Sequence, residues 1–154
     1  MSFRVLGLDP ALFQELQALP DEVLAERGVE RVRVDEKPGA PCRISLDDAD
    51  IGEHVLLLTH LHQPAATPYR QQGPIFVRAA DTRYDAVNAI PPALARRLLS
   101  LRGFSAQHMM VEADIVDGAY AAEVIARFFA NPSVAYIHAH YARRGCFAAT
   151  IERA

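Results

Sequence analysis

The sequence predicts an α+β fold in one domain, residues 1–154, built on a mostly antiparallel sheet. Three features lead there. Short runs of β-branched and aliphatic residues recur at close spacing, with Pro- and Gly-containing turns between them. Only residues 118–130 carry an apolar stripe long enough for a substantial helix. The strand candidates are neighbours in sequence, which favours antiparallel pairing. A chain of 154 residues can bury roughly 68 to 70% of its unfolded surface, so a real core needs no staples.

Residues 3–6 read as a short strand. Asp9-Pro10 then offers an N-cap followed by proline at the first helical position, and Leu12, Phe13, Leu16 and Leu19 share one helical face up to Pro20. Asp21 caps a second short helix, which Gly28 closes in the left-handed region. Strands are expected over 29–34, 42–46, 53–61 and 75–79, and the run Val55 to Leu58 is apolar on both faces, as a central strand requires. Residues 63–73, broken by prolines, are expected to form an irregular loop. Pro91-Pro92 opens a short middle helix through about Leu98. Residues 99–104 and 109–116 make a hairpin whose second strand sets Met109, Val111, Ala113 and Ile115 against Glu112 and Asp114 on the other face. In the longer helix, 118–130, the stripe is Ala121, Val124, Ile125 and Phe128, with Glu123–Arg127 an exposed i,i+4 pair. A C-terminal hairpin of 134–141 with 146–152 completes the chain.

Net charge of −3, from 16 basic and 19 acidic residues, creates no field that would gather nucleic acid or an anionic membrane. Neither is expected as a partner. The amino terminus lacks the basic start, long apolar run and small-residue cleavage site of a signal peptide. Two cysteines, Cys42 and Cys146, are too few for a secreted disulfide framework. A soluble, cytoplasmic protein is the expectation.

Chemistry concentrates in three places. Two H-x-H pairs, His60/His62 and His138/His140, each project from one face of a strand because side chains alternate with period two. Two such pairs, or one pair with Glu112 or Asp114, would suit zinc. The stronger spacings H-E-x-x-H, C-x-x-C and helical H-x-x-x-H are missing, so no metal and no cofactor are expected; the bland alternative makes His60 and His138 semi-buried residues satisfied by backbone groups. Second, P-G-A-P-C-R places Cys42 at a strand start beside Arg43. A thiol near a guanidinium and a histidine can act as nucleophile, although strand neighbours point to opposite faces and a buried, inert thiol is the commoner outcome. Third, the loop H-Q-P-A-A-T-P-Y-R-Q-Q-G-P-I-F-V-R gathers His62, Gln63, Tyr69, Arg70 and Arg78 on a backbone restricted by prolines 64, 68 and 74. Arg70 and Arg78 either grip a carboxylate or phosphate or pair with surface acids. In the last hairpin, a three-residue turn with Gly145 left-handed would put Cys146, Ala148 and Thr150 on the face of His138 and His140; a two-residue turn would put Phe147 and Ala149 there.

The segments F-R-V-L-G-L, P-G-A-P-C-R-I-S-L-D-D-A, H-Q-P-A-A-T-P-Y-R, P-I-F-V-R, M-M-V-E-A-D-I-V-D-G and Y-I-H-A-H-Y-A-R-R-G-C-F-A-A-T-I-E-R together resemble a bacterial family of uncharacterised proteins, domain-of-unknown-function family 1203. The resemblance spans nearly the whole chain. Within it His62 and His140 match family histidines, whereas the position of His60 is often aromatic and that of Tyr141 commonly asparagine, so it weights His62, His138 and His140 over His60. It implies no activity. The expected function is binding, and in an enzymatic version transformation, of a small anionic molecule where the 63–73 loop meets the P-C-R strand and the last hairpin. Arg70 and Arg43 would hold the anion, Gln63, Tyr69, Arg78 and His138 would add contacts, and His62 or His140 would shuttle protons, with Cys42 as nucleophile only in covalent chemistry. The competing expectation is a non-catalytic interaction module, homodimeric through a sheet edge or the apolar hairpin.

Overall fold

The computed structural model describes residues 1–154 and divides the strands between two sheets. The larger has the order β7 (Asp85–Val87), β1 (Phe3–Leu6), β11 (Phe147–Arg153), β10 (Tyr136–Tyr141), β8 (Leu98–Phe104), β9 (Met110–Asp117), with every neighbouring pair antiparallel. The smaller runs β2 (Glu30–Arg33), β5 (His54–Gln63), β6 (Gln71–Arg78), β3 (Pro41–Cys42), β4 (Asp47–Asp48), and β3 beside β6 is its one parallel contact. The helices are α1 (Gln14–Gln17), α2 (Asp21–Glu26), α3 (Pro92–Ala95) and α4 (Ala121–Ala130). The chain is thus the α+β, mostly antiparallel domain its patterning predicts, and no helix is long and apolar enough to cross a membrane.

The apolar stripe of α4 decides the main core. Ala121, Ile125, Phe128 and Phe129 are buried against one face of the larger sheet, among Val5, Leu99, Leu101, Ile137 and Ile151. The predicted Glu123–Arg127 pair does not form; Arg127 reaches across to Asp114 on β9, and Asn131 Nδ2 donates to Glu112 at 3.1 Å. The acids of β9 therefore face α4, with Val116 on the same side packing on the main core, while Val111 and Ile115 face outward at the sheet edge, at 42% and 63% exposure. In the smaller sheet β5 is central and covered on both sides, by Phe13, Leu24 and Ile75 with its own Leu56 and Leu58, and by Val34 and Cys42 with its own Val55. Leu12 leaves the predicted apolar face and is 61% exposed. Residues Pro10–Phe13 form a 3₁₀ turn, whose three-residue period rotates Leu12 away from the line through Phe13 and Leu16.

The predicted strand 42–46 stops at Cys42. Beyond it the chain turns on the Leu46 N–H to Cys42 carbonyl bond (2.9 Å), and other segments take its carbonyls: Leu8 N–H donates to Arg43 O and Tyr84 N–H to Ile44 O, each at 2.8 Å. A buried turn is tolerated because its polar backbone is satisfied from outside. The approach is so close that a Cβ on Gly7 would stand 1.9 Å from the Ile44 oxygen, so only glycine fits there. The irregular loop is also shorter than expected, 64–70, because β6 begins at Gln71, and the middle helix ends at Ala95.

Phe128, 1% exposed, should cost about 3–5 kcal/mol on truncation to alanine, whereas Ile115→Ser on the outer face of β9 should stay within about 0.5 kcal/mol. Equilibrium urea unfolding of the two variants checks this burial map.

Candidate functional site

Period-two alternation on β10 sends Tyr136, His138 and His140 to the face away from α4. Their cross-strand partners are Phe104, Arg102 and Ser100 on β8 and Glu152, Thr150 and Phe147 on β11. The last pairing needs a bulge: Ala148 is an extra residue on β11, which lets Phe147 and Thr150 share one face. Gly145 is left-handed as expected (φ 80°), yet Tyr141 N–H bonds Cys146 O at 2.9 Å, so four residues form the turn. Phe147, not Cys146, consequently stands opposite His140.

The β5–β6 hairpin brings the third histidine. A register shift between His60 and Gln63 gives β5 one extra residue at its end, and His62 lands on Phe147, stacked at 5.0 Å and 7°. His62 also lies 5.0 Å from His140 and 6.2 Å from His138, ring centre to ring centre, while Phe147 meets His138 at 5.2 Å and His140 at 5.8 Å. Three imidazoles from two sheets pack around one phenyl ring.

Hydrogen bonds select the tautomers of His62 and His140. Arg102 Nη1 donates to Gln71 Oε1 at 3.2 Å, which identifies that atom as the amide oxygen, so His62 Nε2 at 3.1 Å donates to it as well. Neutral His62 then carries its lone pair on Nδ1, which is buried without a partner, as is Nδ1 of His138. His140 Nδ1 donates to the Gly145 carbonyl at 2.9 Å, leaving its lone pair on Nε2. Burial pulls all three below the usual imidazole range, His138 to about 3 and His140 to about 4, and the positive charge of Arg102 pushes the same way.

Two guanidiniums flank the cluster without a carboxylate. Arg43 is buried behind Phe147, where Nε donates to Phe147 O (2.8 Å) and Nη1 to Pro41 O (2.5 Å), its plane 4.9 Å over Tyr141. Arg102 is half-buried and bonds Gln71 and, at 3.4 Å, Ser100 Oγ. By contrast Arg4, Arg78, Arg96, Arg97 and Arg127 all form ion pairs.

Beside the cluster, between the 64–70 loop and the β10–β11 hairpin, opens a cleft of about 650 Å³ lined by His62, Gln63, His108, Tyr136, His138, Thr150 and Glu152 among others. Gln63 Nε2 donates to Tyr136 Oη at 2.9 Å, and that hydroxyl bonds His108 Nδ1 at 2.8 Å. Thr67 Oγ1 donates to the His108 carbonyl at 3.4 Å and ties the loop to the β8–β9 turn.

Of the residues expected from sequence, His62, Gln63 and His138 line the cleft, and His140 lies one ring deeper. The others are placed elsewhere. Cys42 is fully buried beneath β5, its thiol donating to Ala40 O at 3.5 Å, and burial pushes its pKa up to about 12, which leaves it protonated and remote from the histidines. Arg70 turns back onto its own loop to bond Pro64 O, and Tyr69 packs edge-on against Phe104 at 6.1 Å. Arg78 is engaged by Glu53 and Asp81, both at 3.1 Å, and by Ser45 at the far end of β6. His60, half-buried between Phe13 and Phe147, stays outside the group. Glu112 and Asp114 face α4, and no three His, Cys, Asp or Glu side chains converge as a metal would require. Tyr136, Arg102, Gln71 and His108 are not expected from the sequence, and Phe147 enters there only through the two-residue-turn alternative. Tyr136 is within reach, since it continues the period-two series of His138 and His140; Arg102, Gln71 and His108 come from separate elements and carry no local signal.

Fold and site together describe a small two-sheet α+β protein with a histidine-lined cleft where the sheets meet. Residues 39–153 match the family described as protein of unknown function (DUF1203), and the chain belongs to that family. No curated protein and no solved structure matches it.

Neutral buried histidines make stability depend on pH. Their folded pKa values lie below the ordinary 6.5, so between the two values the unfolded chain binds more protons than the folded one, and stability falls as pH falls. Thermal midpoints should be level above about pH 7 and drop steadily from about 6.5 towards 4, with a shallower drop in His138→Gln. Under native conditions at neutral pH, iodoacetamide should label Cys146 and spare Cys42 until the protein is unfolded, as peptide mapping by mass spectrometry would read.

Proposed function

We propose that the protein binds a small anionic molecule beside the histidine cluster, with Arg102, which shares Gln71 with His62 outside the cleft's own lining, as the anchoring cation and His62 and His138 as hydrogen-bonding partners. One observation carries this reading. Arg102 and Arg43 have no carboxylate partner and flank three neutral imidazoles, although the chain has 19 acids and ion-pairs most of its other partly buried arginines. A carboxylate or phosphate oxygen pair suits a guanidinium fork and would supply the missing counter-charge. Arg43 acts from behind Phe147 through its field, and Arg70 shapes the loop rather than gripping the ligand. We place this function in the bacterial cytoplasm, where the two unpaired cysteines stay reduced.

The outward apolar face of β9 supports a second reading. An edge strand with open backbone groups and exposed Val111 and Ile115 is a template for pairing with a second copy. In that case the histidine cluster is structural and the protein is a homodimeric interaction module.

A thermal-shift screen of anionic metabolites separates the readings. A ligand at about 100 times its Kd stabilises by about 2.7 kcal/mol, and Arg102→Gln should abolish that gain while moving its own unliganded stability by less than about 1 kcal/mol. Should no anion stabilise wild type while Val111→Asp converts a dimer to monomer in sedimentation velocity, the interaction module is the correct reading.

A further inference from the structure

We propose that anion binding at this site is coupled to the uptake of one proton by the histidine cluster, so that the preferred ligand is a small dianion matched to Arg102 plus one imidazolium. The inference rests on the anion reading above and specifies the class of ligand and the linkage that accompanies it. The tautomers create the proton's place. His62 uses Nε2–H on Gln71 and His140 uses Nδ1–H on Gly145 O, so each has one lone pair left; the Nδ1 lone pair of His62 is buried without a donor, and Nδ1 of His138 is buried without any partner. A buried acceptor without a donor is satisfied by gaining a proton, provided the charge created finds a partner.

In the empty protein the groups around the cluster are cationic or neutral, apart from Glu152. From β8 the cluster faces Arg102, and behind Phe147 it faces Arg43, both cationic. From β5 it faces His60, and β6 contributes the uncharged Gln71. The 64–70 loop adds Arg70, which is turned onto Pro64, and the β8–β9 turn adds His108 at the far side of Tyr136. Glu152 is the one carboxylate lining the cleft, where it stands opposite Tyr136 rather than His138, and Arg153 lines the same cleft; Arg4, its neighbour on β1, is paired with Asp85. Glu112 and Asp114 of β9 lie across the sheet. Cations thus surround lone pairs that are close enough together for the first proton to exclude a second.

An oxyanion on Arg102 reverses this field. It cancels the guanidinium charge and supplies a partner for an imidazolium, which raises the proton affinity of the nearest ring. Linkage is reciprocal, so the proton raises affinity for the anion by the same factor. A monoanion neutralises Arg102 alone, whereas a dianion neutralises Arg102 and the new imidazolium together. His138 and His140, held low chiefly by burial and to a smaller extent by Arg102, are groups this change of sign would move.

Calorimetry with sulfate and oxalate tests the coupling, because both stay dianionic from about pH 6 to 8, the range in which a released imidazole titrates. In buffers of differing ionisation enthalpy the heat should report about one proton taken up per anion, and affinity should rise up to about tenfold per unit fall in pH. Acetate should bind more weakly with a shallower slope. His62→Gln and His138→Gln should bind sulfate more weakly, each losing a hydrogen-bonding partner, and at least one of His62→Gln, His138→Gln and His140→Gln should lose most of the proton uptake in the binding that remains; Arg102→Gln should lose both. Sulfate binding with buffer-independent heat and flat affinity overturns the coupling and leaves the anion reading standing. Full proton uptake in all three histidine variants overturns its assignment to the cluster. No binding of either anion up to about 10 mM overturns the anion reading and the coupling together.

Discussion

A single buried guanidinium joins the two sheets. Arg43 leaves the end of β3 at the point where the chain turns inward, and its two donors reach a carbonyl on each side, Pro41 in the smaller sheet and Phe147 in the larger. Removing a cation from water is expensive, and here carbonyl dipoles and the face of Tyr141 at 4.9 Å offset it in place of a carboxylate. The same turn accepts backbone hydrogen bonds from Leu8 and Tyr84, so the position of Phe147 is held from behind by a network reaching both sheets. Because the three histidines pack around that ring, the geometry of the cleft depends on Arg43 without Arg43 lining it.

Charge is balanced on one side of this junction and unbalanced on the other. Asp48, with a side chain fully buried, takes bonds from Arg96 at 2.7 Å and Arg97 at 2.5 Å, and Arg97 extends over Tyr141 at 5.2 Å. Tyr141 is therefore flanked by two guanidiniums, and burial pushes its hydroxyl up to about 12 while leaving it without a hydrogen-bond partner. Arg97 has its acid; Arg43 points the other way, towards the histidines, and has none. A protein of net negative charge thus buries a guanidinium without an acid, a property of placement that overall composition does not report.

The histidine cluster also shows how packing and chemistry constrain each other. Imidazoles around a phenyl ring gain the contact energy of an aromatic group, but each carries two nitrogens that require partners. Gln71 and Gly145 satisfy two of them, and the unsatisfied Nδ1 atoms of His62 and His138 are left as groups that packing alone does not explain. Replacement of all three by phenylalanine would satisfy the core more simply.

Much of this was legible in the chain. The α4 stripe, the central β5, the hairpins and the left-handed Gly145 follow from local rules, because periodicity and the steric limits of φ act over a few residues. The same period-two rule places His138 and His140 together on one face. The sequence alone did not determine which other elements meet that face. The bulges at Ala148 and at the end of β5 each shift a register by one residue, and one residue exchanges the faces of a strand, which is why Phe147 rather than Cys146 joins the histidines and why His62 reaches them. Cys42, Arg43, Arg70 and Arg78 share a sequence neighbourhood rich in functional residue types, yet only Arg43 approaches the cluster. The fate of an arginine or a cysteine depends on burial and on partners tens of residues away, and those are decided when the sheets pack.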